Sequence, residues 1–257
     1  MSLAELWPLA LVFTLAGLTS GLAGFGFSAI GALSLTLLPP TLAISLLLTL
    51  SICTQILSLV SLWPELRPHV KPWPHKDSPL TFCLGGVLGL PVGAALLQRM
   101  NGIVLLAVFG TFLIGYATYG LLKPATSRIP PCGYWWGTFV LVGATGGIVG
   151  GFTAFPGSAL VIWNGLRGTS GDVSRSLTQP YIMFMQVIGL ALMVGTRPAL
   201  FDGAFFLLFA ALVPVSLLGS ALGTTIYKRY AQLNYRRLCL LLLGFSGLTL
   251  LGKSLWG

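Results

Sequence analysis

The sequence predicts an all-α polytopic integral membrane protein built of two inverted repeats. Three observations carry that prediction. Only 7% of the 257 residues are charged and 55% are hydrophobic, with a mean hydropathy of +0.91, where a soluble domain carries about a quarter charged residues. Between Glu5 and Glu65 lie 59 residues without a charge. That is enough to cross a hydrocarbon core of ~30 Å more than twice, at ~20 residues per helix. Finally, glycine-rich apolar segments of matching character open the two halves of the chain, and the basic loops around them alternate in opposite phase. Each repeat, 1–126 and 127–257, is expected to start with a broken helix or helical hairpin followed by about three transmembrane helices.

Charge-free segments run 6–64, 80–98, 100–122, 129–166, 176–196, 203–227 and 238–252. Most have the length of one span. Leu6–Leu38 and Tyr134–Asn164 do not: their 33 and 31 apolar or small residues would reach ~45–50 Å as unbroken helices. Gly21, Gly24 and Gly26 cluster inside the first, and Gly146, Gly147, Gly150 and Gly151 inside the second, with Pro156 following. Glycine adopts dihedrals other residues resist and proline removes a backbone donor, so each long segment is expected to break at its cluster. A shift of 126 residues superposes Thr19 on Thr145, Gly21 on Gly147, Gly24 on Gly150 and Gly31 on Gly157, which reads as an internal duplication.

Loop charge orients the halves. Residues 63–79 hold Arg67, Lys71 and Lys76, while the connections at 39–41 and 98–102 hold only Arg99. In the second half the pattern reverses: 165–179 carries Arg167 and Arg175, 228–237 carries four basic residues, and 197–202 only Arg197. If each broken segment turns back to its starting side, eleven Lys and Arg, including Lys123 and Arg128, fall on one side and three on the other. Counting each broken segment as one pass divides them seven against seven. Basic loops are cytoplasmic, so the turned-back topology is preferred, with antiparallel halves and the N-terminus outside.

Composition also excludes functions. The net charge of +9 comes without a Lys/Arg run of the kind nucleic acid binds. Cys53, Cys83, Cys132 and Cys239 form no CxxC and have no nearby His, so neither a disulfide framework nor a zinc site is expected. Glu5 stands where a signal peptide would be basic, so the N-terminal segment is read as part of the fold. Every Asp and Glu, and both His69 and His75, fall in loops or at segment ends. Metal catalysis, a carboxylate proton relay and a Ser-His-Asp hydrolase all lack their parts. The expectation is no enzyme, no metal and no cofactor.

What remains inside the membrane is broken backbone, tolerated there only where protein or a water-filled cavity surrounds it. A helix N-terminus pointing inward presents unpaired N–H groups and positive partial charge, which suits an anion. On this reading Gly24, Gly26, Phe27 and Ser28 open one half-helix, and Gly150, Gly151, Thr153 and Pro156 the other. Thr19, Thr145 and Ser158 add hydroxyls beside the breaks. In an inverted repeat the two breaks would meet near the midplane around one small anion. The competing reading is that these glycines serve close helix packing. Gln55 and Gln186, mid-segment amides, have the same two readings: helix-to-helix hydrogen bonds or ligand contacts. Trp63, Trp73, Trp135 and Trp136 read as interfacial anchors, and the proline-rich 64–79 as a stiff connector.

At LTSGLAGFGFSAIGALSLTLLPP (18–40) and GATGGIVGGFTAFPGSALVIWNGL (143–166) the chain resembles the sulfite exporter TauE/SafE family of membrane transporters. The resemblance extends over essentially the whole chain and is most specific in these two stretches. It implies movement of sulfite, sulfonates or related anions across the bacterial inner membrane. Phe25, Phe27 and Phe152 stand where small residues are usual in the family, implying a narrower or more apolar site, suited to an organosulfur anion. The resulting expectation is a multi-pass exporter of a small anion whose other partner is the lipid bilayer, with a homo-oligomer compatible. The alternatives are ion-coupled uptake of the same anions and a non-transporting interaction subunit docking through 64–79.

Overall fold

The computed structural model describes residues 3–122, 135–229 and 235–256. The boundary between the sequence halves at 126/127, together with Lys123, Arg128, Cys132 and Tyr134, lies outside the described residues, as do the side chains of Glu5 and Arg236. All regular structure described is helical: α1 (Leu3–Ala23), α2 (Phe27–Gly31), α3 (Pro40–Leu66), α4 (Pro79–Arg99), α5 (Gly102–Leu122), α6 (Trp136–Thr153), α7 (Gly157–Arg167), α8 (Gly171–Thr196), α9 (Gly203–Arg229) and α10 (Tyr235–Trp256). Eight of them are long and apolar enough to cross a membrane. In lipid the backbone must pair with itself, which a helix does. Pro8, Pro64, Pro91, Pro180 and Pro214 all lie inside helices, as membrane helices tolerate.

The chain divides into two compact units, each drawing on both sequence halves. The first comprises Met1–Ser58, Met100–Leu121 and Leu190–Gly257; the second comprises Leu59–Arg99 and Leu122–Gly189.

In the first unit α1 and α9 touch backbone to backbone. A Cβ added at Gly17 would strike Ser216 O, one at Gly21 would strike Ser220 O, and ones at Gly219 and Gly223 would strike the carbonyls of Thr14 and Leu18. The contacts advance in the same direction on both helices, so the pair runs parallel. Van der Waals contact replaces the hydrophobic effect between helices in lipid, and small residues every fourth position allow it. On α5 and α10 the order reverses: Gly110 meets Gly247, Ala117 meets Gly244 and Gly120 meets Leu240. That pair is antiparallel. α2 continues as a 3₁₀ turn, Ala32–Thr36, and folds back along α1. Gly26 faces Thr19, and Gly31 lies beside Phe13 and Ala16.

The second unit repeats both devices. Gly85, Gly89 and Gly93 of α4 press on Val140, Ala144 and Ile148 of α6, while Gly143, Gly147 and Gly151 press back on Phe82, Gly86 and Leu90. α7 folds back along α6: Pro156 covers Gly146 and Gly150, and Trp163 meets Phe139 edge-on at 5.9 Å. Both over-long segments therefore form helical hairpins.

Two sequence expectations need correction. The second break is not at Gly150 and Gly151; α6 runs through both and ends at Thr153. Nor do the breaks superpose on a shift of 126 residues. Gly24 (φ 76°) and Ala154 (φ 56°) are the left-handed residues that follow the two helices. Their N–H groups donate four residues back, to Ser20 O (2.8 Å) and Gly150 O (2.9 Å). Gly26 and Pro156 then precede α2 and α7 as N-caps. The structural shift is 130. The packing glycines recur every four residues, so a four-residue slip still places Gly17 and Gly21 on glycines and conceals the register.

Candidate functional site

Each hairpin tip gathers most of its expected residues. In the first unit Gly24 and Gly26 (φ 99°) make the turn between α1 and α2, and the left-handed backbone explains why glycine stands at both. Thr19 is buried one turn earlier, its hydroxyl donating to Leu15 O and Ala16 O at 3.0 and 2.9 Å. Phe27 and Ser28 are buried in α2. Phe27 stacks on Phe13 at 6.0 Å, and Phe25 meets Tyr116 edge-on at 6.4 Å. These rings pack the tip against its own unit. Ser246 of α10 holds α2 from the other side, donating to Ala29 O at 2.7 Å.

In the second unit Thr153 closes α6, donating to Val149 O at 2.6 Å and accepting from the N–H of Phe155 at 3.1 Å. Gly150 is covered by Pro156. Ser158, in the first turn of α7, donates to Phe155 O at 3.2 Å. Gln186 of α8 reaches the same tip, its Nε2 3.5 Å from Ala154 O. Gln55 of α3 is buried, and its Oε1 has no hydrogen-bond partner among the described residues.

Two expected residues stand apart. Thr145 lies on the exposed face of α6, its hydroxyl turned to Val142 O at 2.9 Å. Gly151 faces α4, where a Cβ would come within 2.6 Å of Leu90 O. It serves packing.

Neither half-helix carries a side-chain N-cap. The first N–H groups of a helix have no partner within it, and those of α7 begin at Gly157 and Ser158, both buried. α7 runs eleven residues, long enough to concentrate positive partial charge at that end; α2 has five. Sequence reasoning missed Ala154, because a non-glycine residue at positive φ leaves no signature. It also placed Arg175 in a loop, whereas the side chain is buried on α8 one turn before the buried Gln179. Outside the spans, Asp77 is the buried carboxylate among the described residues. Burial would raise its pKa, but the Arg167 hydrogen bond and charge, with Lys71 beside it, hold the carboxyl below its usual range.

Among the described residues, eight apolar spans and two re-folded hairpins make a polytopic α-helical membrane protein. The family model of the sulfite exporter TauE/SafE matches residues 9–250, and the chain belongs to that family. No curated protein and no solved structure matches the chain.

Proposed function

We propose that the chain moves a small anion, sulfite, a sulfonate or another organosulfur anion, outward across the bacterial inner membrane. The observation that carries this reading is the buried start of α7 at the tip of a hairpin, without a side-chain cap, in a member of an anion-exporter family. An N-terminus of that kind takes the oxygens of an oxyanion. Thr153, Pro156, Ser158 and Gln186 would line the tip in the second unit; Thr19, Gly24, Gly26, Phe27 and Ser28 would line the tip in the first.

The antiparallel pairing of α5 with α10, the closing helices of the two halves, supports the inverted-repeat reading. So does the proximity of Ser45, near the start of α3, to Met193, near the end of α8, at 3.9 Å. With the cytoplasm at negative potential, an exiting monovalent anion gains ~2.3 kcal/mol per 100 mV, so export can proceed as facilitated diffusion. Purified protein in liposomes loaded with sulfite or a small sulfonate is expected to release it at a rate that follows the imposed potential. Release that depends on a pH gradient and ignores voltage overturns the mechanism.

A further inference from the structure

We infer that the C-terminal end of α1, with Ser20, Gln55 and Thr224, binds a monovalent alkali cation. The inference deepens the transport reading and rests on it for the cation's role, though not for its binding. Three side-chain oxygens of the first unit, Ser20 Oγ, Gln55 Oε1 and Thr224 Oγ1, are buried without a hydrogen-bond partner among the described residues. Their residues are 0%, 1% and 4% exposed. A buried polar atom left unpaired costs about 1–3 kcal/mol, so three on helices that meet at one place call for a ligand there.

The three oxygens belong to helices that meet around Ser220. Its carbonyl presses on Gly21, the chain neighbour of Ser20. Its hydroxyl is 3.4 Å from the carbonyl of Thr54, the neighbour of Gln55. Thr224 follows one turn later on α9, and its backbone nitrogen lies 2.7 Å from where a Gly21 Cβ would stand. α1 ends just beyond, at Ala23.

The chemistry of this set selects the ligand. A glutamine Oε1 only accepts hydrogen bonds, and a helix C-terminus carries negative partial charge, so an anion is disfavoured. Oxygen donors suit hard cations. All three are neutral, which leaves a divalent ion uncompensated and favours a single charge. Broken membrane helices can hold a cation at the C-terminal end of one half while the N-terminal end of another faces the anion.

The test is binding to the purified full chain in detergent, read by equilibrium uptake of radioactive sodium and by the thermal shift in sodium, potassium or lithium chloride against N-methyl-D-glucamine chloride. Saturable sodium binding is expected, weakened about tenfold in Gln55→Leu and in Thr224→Val and restored by Thr224→Ser. No saturable binding or thermal shift with any of the three ions overturns the inference, and so does wild-type affinity in both Gln55→Leu and Thr224→Val. The wild-type measurement decides even where a variant fails to fold. Anion flux from liposomes without cation binding removes this site and leaves the transport reading standing. Cation binding without anion flux does the reverse.

Discussion

Asp77 and Arg167 form a bidentate ion pair that ties the connection before α4 to the last residue of α7, 90 positions further along the chain. Nη1 is 2.7 Å from Oδ1 and Nη2 3.2 Å from Oδ2. Lys71 approaches the same carboxylate at 3.4 Å. The guanidinium also lies over the rings of Phe139 and Trp163, at 5.3 and 5.9 Å. The pair thus holds the returning arm of the hairpin at its far end from the tip. Exposed ion pairs contribute little and buried ones cost much to break; Asp77, 8% exposed, stands near the buried limit. Asp77→Asn is expected to lower stability by about 2 kcal/mol, measured by thermal unfolding in detergent. Arg167→Lys should lose most of the same amount, because an ammonium makes no second parallel bond and stacks less well.

The same pair sets an acid limit. A carboxyl whose folded pKa lies below its unfolded value contributes stability above the unfolded value and loses it as pH falls through the folded one. Asp77 has this sign: the arginine and lysine outweigh its burial. Its contribution should be flat from neutral pH down to about 4, the ordinary carboxylate value, and fall away below. Unfolding temperatures of Asp77→Asn and the parent, followed against pH, should therefore converge in acid. Parallel curves down to the acid limit contradict the assignment.

Glycines of similar appearance in the sequence should respond in opposite ways to alanine. At Gly89 and Gly219 a new Cβ meets the carbonyls of Ala144 and Thr14. Backbone cannot step aside, so Gly89→Ala and Gly219→Ala should each cost about 1–3 kcal/mol. At Gly115 and Gly195 nothing lies within 4 Å, and alanine there should be neutral or stabilising by up to about 1 kcal/mol. Thermal unfolding of the four variants decides the matter. Equal losses at all four would mean that close α4–α6 and α1–α9 packing is not what these glycines provide.

The two tips make a reciprocal prediction. Ala154 is held at φ 56°, where an L residue with a Cβ is strained by about 1–2 kcal/mol. Gly26 has φ 99° and room beside it, the nearest atoms to a new Cβ being 3.8 and 4.0 Å away. Ala154→Gly should therefore leave stability unchanged or raise it by about 1 kcal/mol, while Gly26→Ala should lower it by about 1–2 kcal/mol through the backbone alone. A loss of stability in Ala154→Gly would show that the methyl group matters more than its conformation.

The hairpins were legible because length and composition conflict: no helix of 33 apolar residues fits a bilayer, and Gly24 and Gly26 mark the place where the first one yields. The second tip was misplaced because its left-handed residue is Ala154, while the conspicuous glycines just before it, Gly147 and Gly151, are spent on contact with α4. Periodicity of four also disguised a shift of 130 as one of 126. Of the residues expected at the breaks, those fixed by chain order lie at the tips. Facing was not legible: a threonine at 145 and one at 224 look alike in sequence, yet one faces outward and the other is buried. The spacing of Ser216, Ser220 and Thr224 at every fourth position was the available signal for α9.

Facing also supplies the sharpest test of the substrate path. Thr145 turns its hydroxyl back to its own helix on an exposed face, so Thr145→Val removes nothing that a solute at the tip would meet. Gln186 is buried with its amide at the break carbonyl, and Ser158 is buried in the first turn of α7. Loss of one buried hydrogen-bonding group costs about 1–3 kcal/mol, which corresponds to about fivefold to over a hundredfold in rate. Anion efflux from liposomes should therefore be unchanged in Thr145→Val and reduced about fivefold or more in Gln186→Leu, with Ser158→Ala between them. Gel filtration should show all three variants folded. Parent-like efflux in Gln186→Leu and Ser158→Ala together would place the anion's path away from the second hairpin tip.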